Sequence, residues 1–498
     1  ATAAEFARAI RPAGAPTPAS VTAVAPAQTQ PLPAQNSIAV LPFANMSPDA
    51  DTEYFSDGMT EEIINALTKL RSVHVAARTS AFAFKGKNAD LETVGKKLNV
   101  RLVLEGSVRR QGNKLRVTTR LIDVAKGVPM WSERFDRQME DVFAIQDEIS
   151  QAVVDTLRIT VLREPEESGP KRKSENVEAF EFYLKGRYFF SHGGLGRALT
   201  FFEQAARRDP AYAVPHAGIA DCYFALANLS YLSPREGYER ARSAAQAALA
   251  LDETLAEAHA AIAIIKCNYD WDWEGARREF ERALELNPGL ANAHYMYSLA
   301  LSSHGLHEEA LAHGERACSL DPLNRQIVTG VARAHLVGRR FELARKALED
   351  SLSLEEPDVS ATHGWLAVAH IELGNFDSAL IEAKRALALA EIPIYVALLG
   401  YVSARAGFRD DALAVLSKLK EKPLDVAVFQ AWIYVGLGDI ANALEWMEKA
   451  FQERSDWLII IAAMPVCDPL RNEPRFNALV GKLGIEASDA TRTGQHIV

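Results

Sequence analysis

The sequence predicts a multidomain protein: a small α/β domain with a mixed sheet, followed by an all-α solenoid of helical hairpins. Apolar runs and alternating stretches before about residue 162 are typical of strands interleaved with helices. Beyond them, small residues recur with a period near 34, as at Ala276, Ala283, Ala310 and Ala317. Asp-Pro and Asn-Pro dipeptides punctuate that period, because proline cannot continue a helix. Together these patterns predict the fold class.

Composition and charge narrow the functional classes. The 498 residues are 48% hydrophobic and 24% charged, which is typical of soluble globular domains. The net charge of −10 argues against a general nucleic-acid binder. The four cysteines are far apart, so they predict neither a zinc site nor a disulfide framework. No apolar run approaches the ~20 residues of a membrane helix. We therefore predict a cytoplasmic protein without a membrane span, metal or cofactor.

The chain begins with a short amphipathic segment, residues 1–10, and an Ala/Pro-rich linker, residues 11–35. The letters ATAAEFA resemble the closing helix of bacterial Ser/Thr protein kinase domains. An ordinary helix is the alternative. The linker is nearly uncharged and proline-rich, which favours an extended, semi-stiff tether. The resemblance implies that 1–10 is the tail of a preceding kinase C-lobe.

Residues 36–163 read as the α/β domain, in the order β-α-β-α-β-β-(β)-α. Thr60 is the predicted N-cap of the first helix, which continues through Leu70. The other predicted helices are Leu91 to Leu98 and Asp141 to Leu157. The predicted strands are Ser37 to Phe43, Val73 to Arg78, Arg101 to Arg109 and Lys114 to Val124, with a candidate fifth at Met130 to Asp136.

Four stretches of this domain, SIAVLPFANMSPDADTEYFSDGMTEEIINALTKL, VAARTSAFAFKG, LNVRLVLEGSVRR and WSERFDRQMEDVFAIQDEIS, resemble the TolB-like N-terminal domain. That domain occurs in bacterial signalling proteins between an effector and a repeat array. The resemblance implies an effector that is a Ser/Thr kinase, a nucleotide cyclase or a DNA-binding winged helix. It implies no defined chemistry for the domain itself.

A charged linker, residues 164–176, leads into residues 177–456, whose pattern resembles the tetratricopeptide (TPR) repeat. A nine-residue insertion, Asn228 to Glu236, interrupts the second repeat, and the fifth is one residue out of phase near Gly338. Residues 457–487 are predicted to cap the solenoid, and 488–498 to form a flexible tail. The eight repeats are predicted to start near Ala179, Ala213, Ala256, Ala291, Arg325, Ser360, Pro393 and Leu424.

Charge is segregated within the α/β domain. Residues 71–120 hold twelve Lys/Arg against three Asp/Glu, a local balance of +9 that leaves −19 for the remainder. The favoured interpretation is a solvated face paired with the acidic segment before it. The alternative is a patch for a phosphate-bearing ligand, the acidic repeats or a cognate kinase domain. The candidate residues of that patch are Arg78, Lys85, Lys87, Arg109 and Arg110.

A TPR solenoid leaves a concave groove that binds extended peptides or partner helices. Polar side chains of the first helix of each repeat are the candidates for gripping such a peptide. They are Asn228, Asn268, Asn292 and Arg325. Protein partners are therefore the predicted ligands.

Catalytic motifs are missing from the sequence: it has no HRD and DFG pair, no Walker phosphate loop and no HExxH. We therefore predict no catalytic residues in this chain. The leading hypothesis is a non-catalytic regulatory and interaction region attached to a bacterial Ser/Thr kinase. The alternatives are a nucleotide or phosphate sensor, or the same region attached to a cyclase or a winged-helix regulator.

Overall fold

A computed structural model describes residues 36–47, 52–71, 73–87, 89–161, 176–354, 359–420 and 426–485. The predicted kinase-like tail (1–10), the linker (11–35), nearly all of the charged linker (164–176) and the tail (488–498) lie outside these ranges. Across the described ranges, no helix is both long enough and apolar enough to cross a membrane.

The N-terminal part contains a six-stranded mixed sheet, as predicted. Its order is β3-β1-β4-β5-β6, with β2 paired to β4. Strand β1 runs parallel to β3 and β4, whereas β4, β5 and β6 form an antiparallel meander. The strands are β1 Ser37–Val40, β2 Ala44–Asn45, β3 His74–Val75, β4 Leu102–Gln111, β5 Lys114–Asp123 and β6 Val128–Gln138.

Among the described residues, four α-helices accompany the sheet: α1 Glu53–Thr68, α2 Arg78–Phe82, α3 Leu91–Leu98 and α4 Val142–Val161. Helix α3 begins where the Asp90 side chain accepts the Thr93 N–H at 2.8 Å, and it ends at Asn99 in a left-handed conformation. Its bounds are those predicted from the sequence.

Two predictions for this domain were wrong. Thr60 is not an N-cap, because α1 begins at Glu53 and Thr60 lies inside the helix. Its hydroxyl donates to the Ser56 carbonyl at 2.9 Å and accepts the Phe43 N–H at 3.0 Å, which ties α1 to the end of β1. The predicted strand Val73 to Arg78 is only the two residues of β3, and α2 begins at Arg78.

The C-terminal part is a solenoid of helix pairs, as predicted. Within the described residues the first helices of six repeats begin at the predicted residue, and the other two begin at Val177 and Ala427. The pairs are α5 Val177–Ser191 with α6 Leu195–Arg208, α7 Ala213–Asn228 with α8 Pro234–Leu251, α9 Ala256–Ile265 with α10 Trp273–Leu286, α11 Ala291–Ser303 with α12 His307–Leu320, α13 Arg325–Val337 with α14 Phe341–Ser351, α15 Ser360–Glu372 with α16 Phe376–Leu389, α17 Pro393–Arg405 with α18 Arg409–Lys420, and α19 Ala427–Gly436 with α20 Ile440–Gln452.

The phase shift of the fifth repeat has a backbone cause. In five other repeats a glycine with positive φ lies between the two helices, as at Gly305 (φ +80°) and Gly374 (φ +76°). In the fifth repeat Gly338 has φ −75°, and Arg339 adopts the left-handed conformation at φ 57°. The turn has therefore moved one residue beyond the glycine.

The insertion in the second repeat is only partly a loop. The connection between α7 and α8 spans residues 229–233, and the helices themselves are long, at 16 and 18 residues. The equivalent helices of the fourth repeat, α11 and α12, have 13 and 14 residues. The added length carries the ends of α7 and α8 toward the C-terminal segment.

That C-terminal segment comprises α21 Leu458–Ala463, a 3₁₀ turn Pro465–Leu470 and α22 Pro474–Lys482. It packs on α19 and α20, as a cap would, but α21 also packs against α11 of the fourth repeat. The ring of Trp271 in the third repeat stacks on Phe451 of the eighth, with centroids 4.6 Å apart. The array therefore closes on itself, a feature that was not predicted.

The sheet and the first repeats share one hydrophobic core. It joins Ile38 and Leu104 of the sheet and Val142 of α4 to Phe180 and Phe202 of the first repeat. Phe143 meets Phe180 edge-on, with centroids 4.8 Å apart. The sheet domain is thus continuous with the solenoid in its packing.

Candidate functional site

Two residues of the predicted basic patch are ion-paired with the acidic segment. The Arg78 Nε lies 2.9 Å from a Glu61 carboxylate oxygen. The Lys85 Nζ lies 2.6 Å from Glu53 and 2.7 Å from Asp57. Burial raises the pKa of Asp57, although Lys85 opposes that shift. The two segments that the sequence set apart by charge therefore neutralise each other across α1 and α2.

The remaining patch residues divide in two. Arg110 lies 2.6 Å from Glu181 of α5, and its guanidinium sits 5.7 Å from the Phe55 ring centroid. Arg109 and Lys87 are exposed, and Lys87 has a further interaction of its own. Arg78 and Lys85 therefore pair within the domain, the interpretation that the sequence favoured, whereas Arg110 pairs with the repeat array, one of the alternatives. A phosphate patch stays a prediction that now rests on Arg109 and Lys87.

Glu61 is the centre of the contact between the sheet domain and the array. Its carboxylate accepts a hydrogen bond from the Arg187 Nε at 2.7 Å, in addition to its ion pair with Arg78. Glu61 is only 4% exposed. Burial alone would raise its pKa, but Arg187 and Arg78 outweigh that effect and hold the pKa below its usual value. Glu61 therefore stays charged and joins α1, α2 and α5.

A second contact forms where the sheet domain meets a turn between repeats. Asp321, 3% exposed, accepts hydrogen bonds from the Ser80 backbone N–H at 2.8 Å and from its hydroxyl at 2.6 Å. The Ala77 N–H donates to the Leu320 carbonyl at 2.7 Å, and the Leu323 N–H donates to the Ser80 hydroxyl at 2.8 Å. The sheet domain thus docks on the Asp-Pro turn after the fourth repeat.

The turn after the third repeat supports the same surface. The Asn287 side-chain amide donates to the Thr68 hydroxyl at 3.3 Å. Arg71 donates to the Glu285 carbonyl at 3.1 Å. A Cβ added at Gly289 would lie 2.8 Å from the Thr68 carbonyl oxygen, so this approach requires glycine. Residues that stop the repeat helices therefore also hold the sheet domain.

We expect Asp321→Ala to loosen this docking by roughly 1–3 kcal/mol, because the variant leaves the buried Ser80 N–H and hydroxyl without an acceptor. Hydrogen exchange at Ser80 and across α2 would measure the loss. The isosteric Asp321→Asn is the control, since its side-chain oxygen can still accept. Equal exchange at Ser80 in wild type and Asp321→Ala would contradict the assignment.

The inner surface of the array, where the peptide groove was predicted, is partly occupied by the chain itself. The Trp457 indole donates to the Asn228 carbonyl at 3.3 Å. The Tyr238 hydroxyl donates to Asp456 at 3.0 Å, and the Asn228 amide donates to the same oxygen at 3.4 Å. The lengthened helices of the second repeat therefore anchor the start of the C-terminal segment.

A cavity of about 110 Å³ remains beside this anchor. Its lining comes from the second to fifth repeats and from the C-terminal segment, including Ile264, Met296 and Ile460. Polar groups enter it from several sides, including Asn268, and Arg333 of α13. Among the described residues, no group of three or more His, Cys, Asp or Glu is arranged to hold a metal ion.

The structure separates the four predicted peptide-groove residues. Asn228 and Asn268 line the cavity, whereas Asn292 is exposed elsewhere on α11. Arg325 is 3% exposed, and its guanidinium donates to the Ser351 carbonyl at 3.1 Å. Arg325 is therefore bonded within the array rather than facing an open groove, and the four do not form one clamp.

Asp456 is held in an unfavourable charged state. It is 1% exposed, one of its carboxylate oxygens has no hydrogen-bond partner, and burial raises its pKa to about 6. The pKa of this carboxyl group is higher in the folded protein than in the unfolded chain. Such a group favours folding most at a pH below both pKa values, where it is protonated in the folded and the unfolded protein. That contribution is lost as the pH rises through the folded pKa.

We therefore expect Asp456→Asn to stabilise the protein at pH 8, by up to about 3 kcal/mol from the pKa difference. At pH 4, where the wild-type carboxyl is neutral in the folded state, the two proteins should differ little. Thermal unfolding across pH 4 to 8 gives the comparison. A variant that is less stable than wild type at pH 8 would show that the charged carboxylate is favourable here.

The two parts of the chain match different models of known protein families. Residues 34–152 match the model of the second domain of HilA/YgeH-like transcriptional regulators. Residues 272–325, 331–391 and 424–456 match tetratricopeptide repeat models. The C-terminal part is a TPR array. The resemblance of the sheet domain to TolB-like domains rests on the sequence alone. The same is true of the resemblance of residues 1–10 to the end of a kinase domain.

One curated relative, "Putative adenylate cyclase 3" of Rhizobium meliloti (strain 1021), is 40% identical over 206 residues. The match spans 41% of this chain and 35% of that protein. Among solved structures, the human IFIT1 dimer with m7Gppp-AAAA aligns with 71% of this chain and 87% of its own, at 14% identity and a TM-score of 0.42. The pilus biogenesis factor PilW aligns with 48% of this chain and 99% of its own, at 16% identity and a TM-score of 0.35.

Sequence reasoning missed the residues that matter most in these contacts: Arg187, Asp321, Arg333 and Asp456. Asp321 was interpreted only as a helix stop before Pro322. One available signal was the insertion in the second repeat, since insertions in a repeat array often lie on the face that makes contacts. Its partner, the C-terminal segment, is more than 200 residues away in sequence, as the Asn228–Asp456 hydrogen bond shows.

Proposed function

We propose that this chain is a non-catalytic regulatory region of a bacterial signalling protein and acts as a scaffold for protein partners. The TPR array supports this proposal, because such arrays bind other proteins through extended surfaces. With the inner surface partly filled by residues 456–464, the second helices of the repeats become the leading contact surface. A cytoplasmic location accompanies this proposal.

The observation that carries the proposal is a set of exposed large apolar side chains on the later repeats, here called the second-helix patch. They belong to, or directly flank, α14, α16 and α18, the second helices of three successive repeats. Six of the eleven exposed large apolar side chains of the described residues fall in these three repeats, and exposed apolar groups are candidates for protein contact. The patch consists of Leu343 (53% exposed), Phe376 (40%), Ile381 (52%), Leu389 (54%), Phe408 (51%) and Leu413 (41%).

The proposal also includes the class of effector domain to which this region is attached. The relative named as an adenylate cyclase supports a nucleotide cyclase, and the match of residues 34–152 supports a transcriptional regulator. The Ser/Thr kinase is favoured only by the likeness of residues 1–10 and of the domain order. We therefore place the cyclase first and keep the kinase and the winged-helix regulator as alternatives.

The test uses the whole parent protein with a triple substitution, Phe376→Ser, Ile381→Ser and Phe408→Ser. A partner protein that copurifies stoichiometrically with wild type should be lost from this variant. The matched control is Leu229→Ser with Tyr231→Ser, two exposed apolar residues of the second repeat, at 37% and 66% exposure. Circular dichroism would verify that both variants fold. Retention of the partner by the triple variant would exclude the second-helix patch.

The absence of catalysis is tested on the 498-residue chain alone. Incubated with labelled ATP, Mg²⁺ or Mn²⁺ and a generic acceptor protein, it should give neither cyclic AMP nor phosphoprotein above background. Metal-dependent product formation that survives repurification would overturn the non-catalytic assignment.

A further inference from the structure

The cavity inside the array contains a cationic side chain without a counter-charge. Arg333 makes no ion pair and no side-chain hydrogen bond with any residue of the described part of the chain. Its guanidinium carbon lies 5.7 Å from the centroid of the Trp365 ring, in a cation–π arrangement. Burial lowers the pKa of Arg333, and Tyr295 only partly offsets this. Arg333 is half-buried, so its guanidinium keeps some contact with water but has no anionic partner.

The groups around Arg333 are hydrogen-bonding side chains on a mainly apolar wall. Gln326 lies two turns before Arg333 on the same face of α13, and it lines the cavity together with Tyr295. Asn268 and Asn228 enter from the third and second repeats. A few polar groups converging in a mainly apolar concavity are typical of a small-ligand site.

Asp456, which directly precedes the lining residue Trp457, does not neutralise Arg333. One oxygen of Asp456 is already held by the Tyr238 hydroxyl and the Asn228 amide. Arg333 forms no ion pair with a carboxylate of the described residues, and burial lowers its pKa with only Tyr295 opposing that shift. An anionic ligand would supply the counter-charge that these residues do not provide.

The volume limits what can enter. About 110 Å³ corresponds to roughly three or four water molecules at ~30 Å³ each. That space accepts one tetrahedral or planar oxyanion, or the anionic end of a larger ligand.

We propose that this cavity is a binding site for a small oxyanion, a phosphate or carboxylate group, with Arg333 as its charge partner. Arginine presents two parallel N–H donors that match both of these groups. An occupied site links the third, fourth and fifth repeats to the C-terminal segment. A bound anion would therefore stabilise the closed form of the array. The proposal goes beyond the scaffold function and does not depend on which effector is attached.

The experiment measures thermal unfolding of the full chain against inorganic phosphate and, separately, acetate, with ionic strength held constant by NaCl. Wild type should gain about 2 °C or more in Tm at saturating anion. A response to phosphate alone assigns a phosphate group, and a response to acetate alone assigns a carboxylate. No response to either anion overturns the proposal.

Arg333→Met supplies the decisive comparison. Without added anion, this variant should melt at or slightly above the wild-type temperature, because it replaces an unpaired, half-buried charge with an apolar side chain. With anion, it should lose the response, with affinity at least about tenfold weaker. Arg282→Met is the matched control, since Arg282 is an exposed arginine that pairs with Glu285 on α10. An anion response that survives in Arg333→Met, or that is lost in Arg282→Met, would overturn the assignment.

Discussion

Glu61→Ala should destabilise the junction between the sheet domain and the array by roughly 3–5 kcal/mol. The variant leaves two partly buried guanidiniums, those of Arg78 and Arg187, without their shared carboxylate. Their side chains are 18% and 31% exposed, so water compensates only in part. Native-state hydrogen exchange in α1 and α5 would measure the local unfolding free energy.

Two comparisons isolate this effect. Glu92→Ala removes an exposed i,i+4 pair with Lys96 and should cost less than about 0.5 kcal/mol. Replacing all three members together, as Glu61→Leu, Arg78→Met and Arg187→Met, should recover most of the loss, because no charge is left unpaired. A triple variant as unstable as Glu61→Ala would mean that the packing of Glu61, not its charge, matters.

The pH dependence has a defined sign. The folded pKa of Glu61 is lowered, so its contribution is complete above the unfolded value of about 4.3. It is lost as the pH falls below that value and through the lower folded pKa. The difference between wild type and Glu61→Ala should therefore be full at pH 7 and shrink in strongly acidic solution.

Local features of the fold could be predicted because local residues determine them. Helix α3 has the predicted bounds, since Asp90 caps it and Asn99 ends it within a few residues. The repeat register could be predicted because Ala276 and Ala283 occupy positions where helices cross closely, and both are fully buried. The opposite charges of the acidic and basic segments predicted that the two segments would pair. They did not identify Glu61 and Arg78 as partners.

The candidate sites depend on contacts between distant parts of the chain, which no local pattern encodes. Ser80 and Asp321 are 241 residues apart, and Tyr238 and Asp456 are 218 apart. The closure of the array also depends on the sum of small rotations between repeats, which periodicity does not give. The open concave groove was therefore expected from the family pattern, whereas the structure places α21 against α11.

The arrangement of the cores leads to a prediction about how the two parts unfold. Phe202 is fully buried between Gly186 and Gly218, where an added Cβ would lie 2.5 and 2.8 Å from its ring. It belongs to the core that the sheet domain shares with the first repeats. Phe280 is 1% exposed, stacks on Tyr297 at 4.9 Å between centroids, and belongs to the core of the later repeats.

Phe202→Ala and Phe280→Ala should each cost roughly 3–5 kcal/mol, because each leaves a cavity in a close-packed core. Their hydrogen-exchange patterns should differ. Phe280→Ala should speed exchange in residues 256–337 and in the C-terminal segment, while the sheet changes less. Phe202→Ala should speed exchange in α5, α6 and α7 and also in α1 and α4, since these helices share its core. Identical patterns would mean that the described chain opens as one cooperative unit, and unchanged exchange in both would mean that the repeat register is wrong.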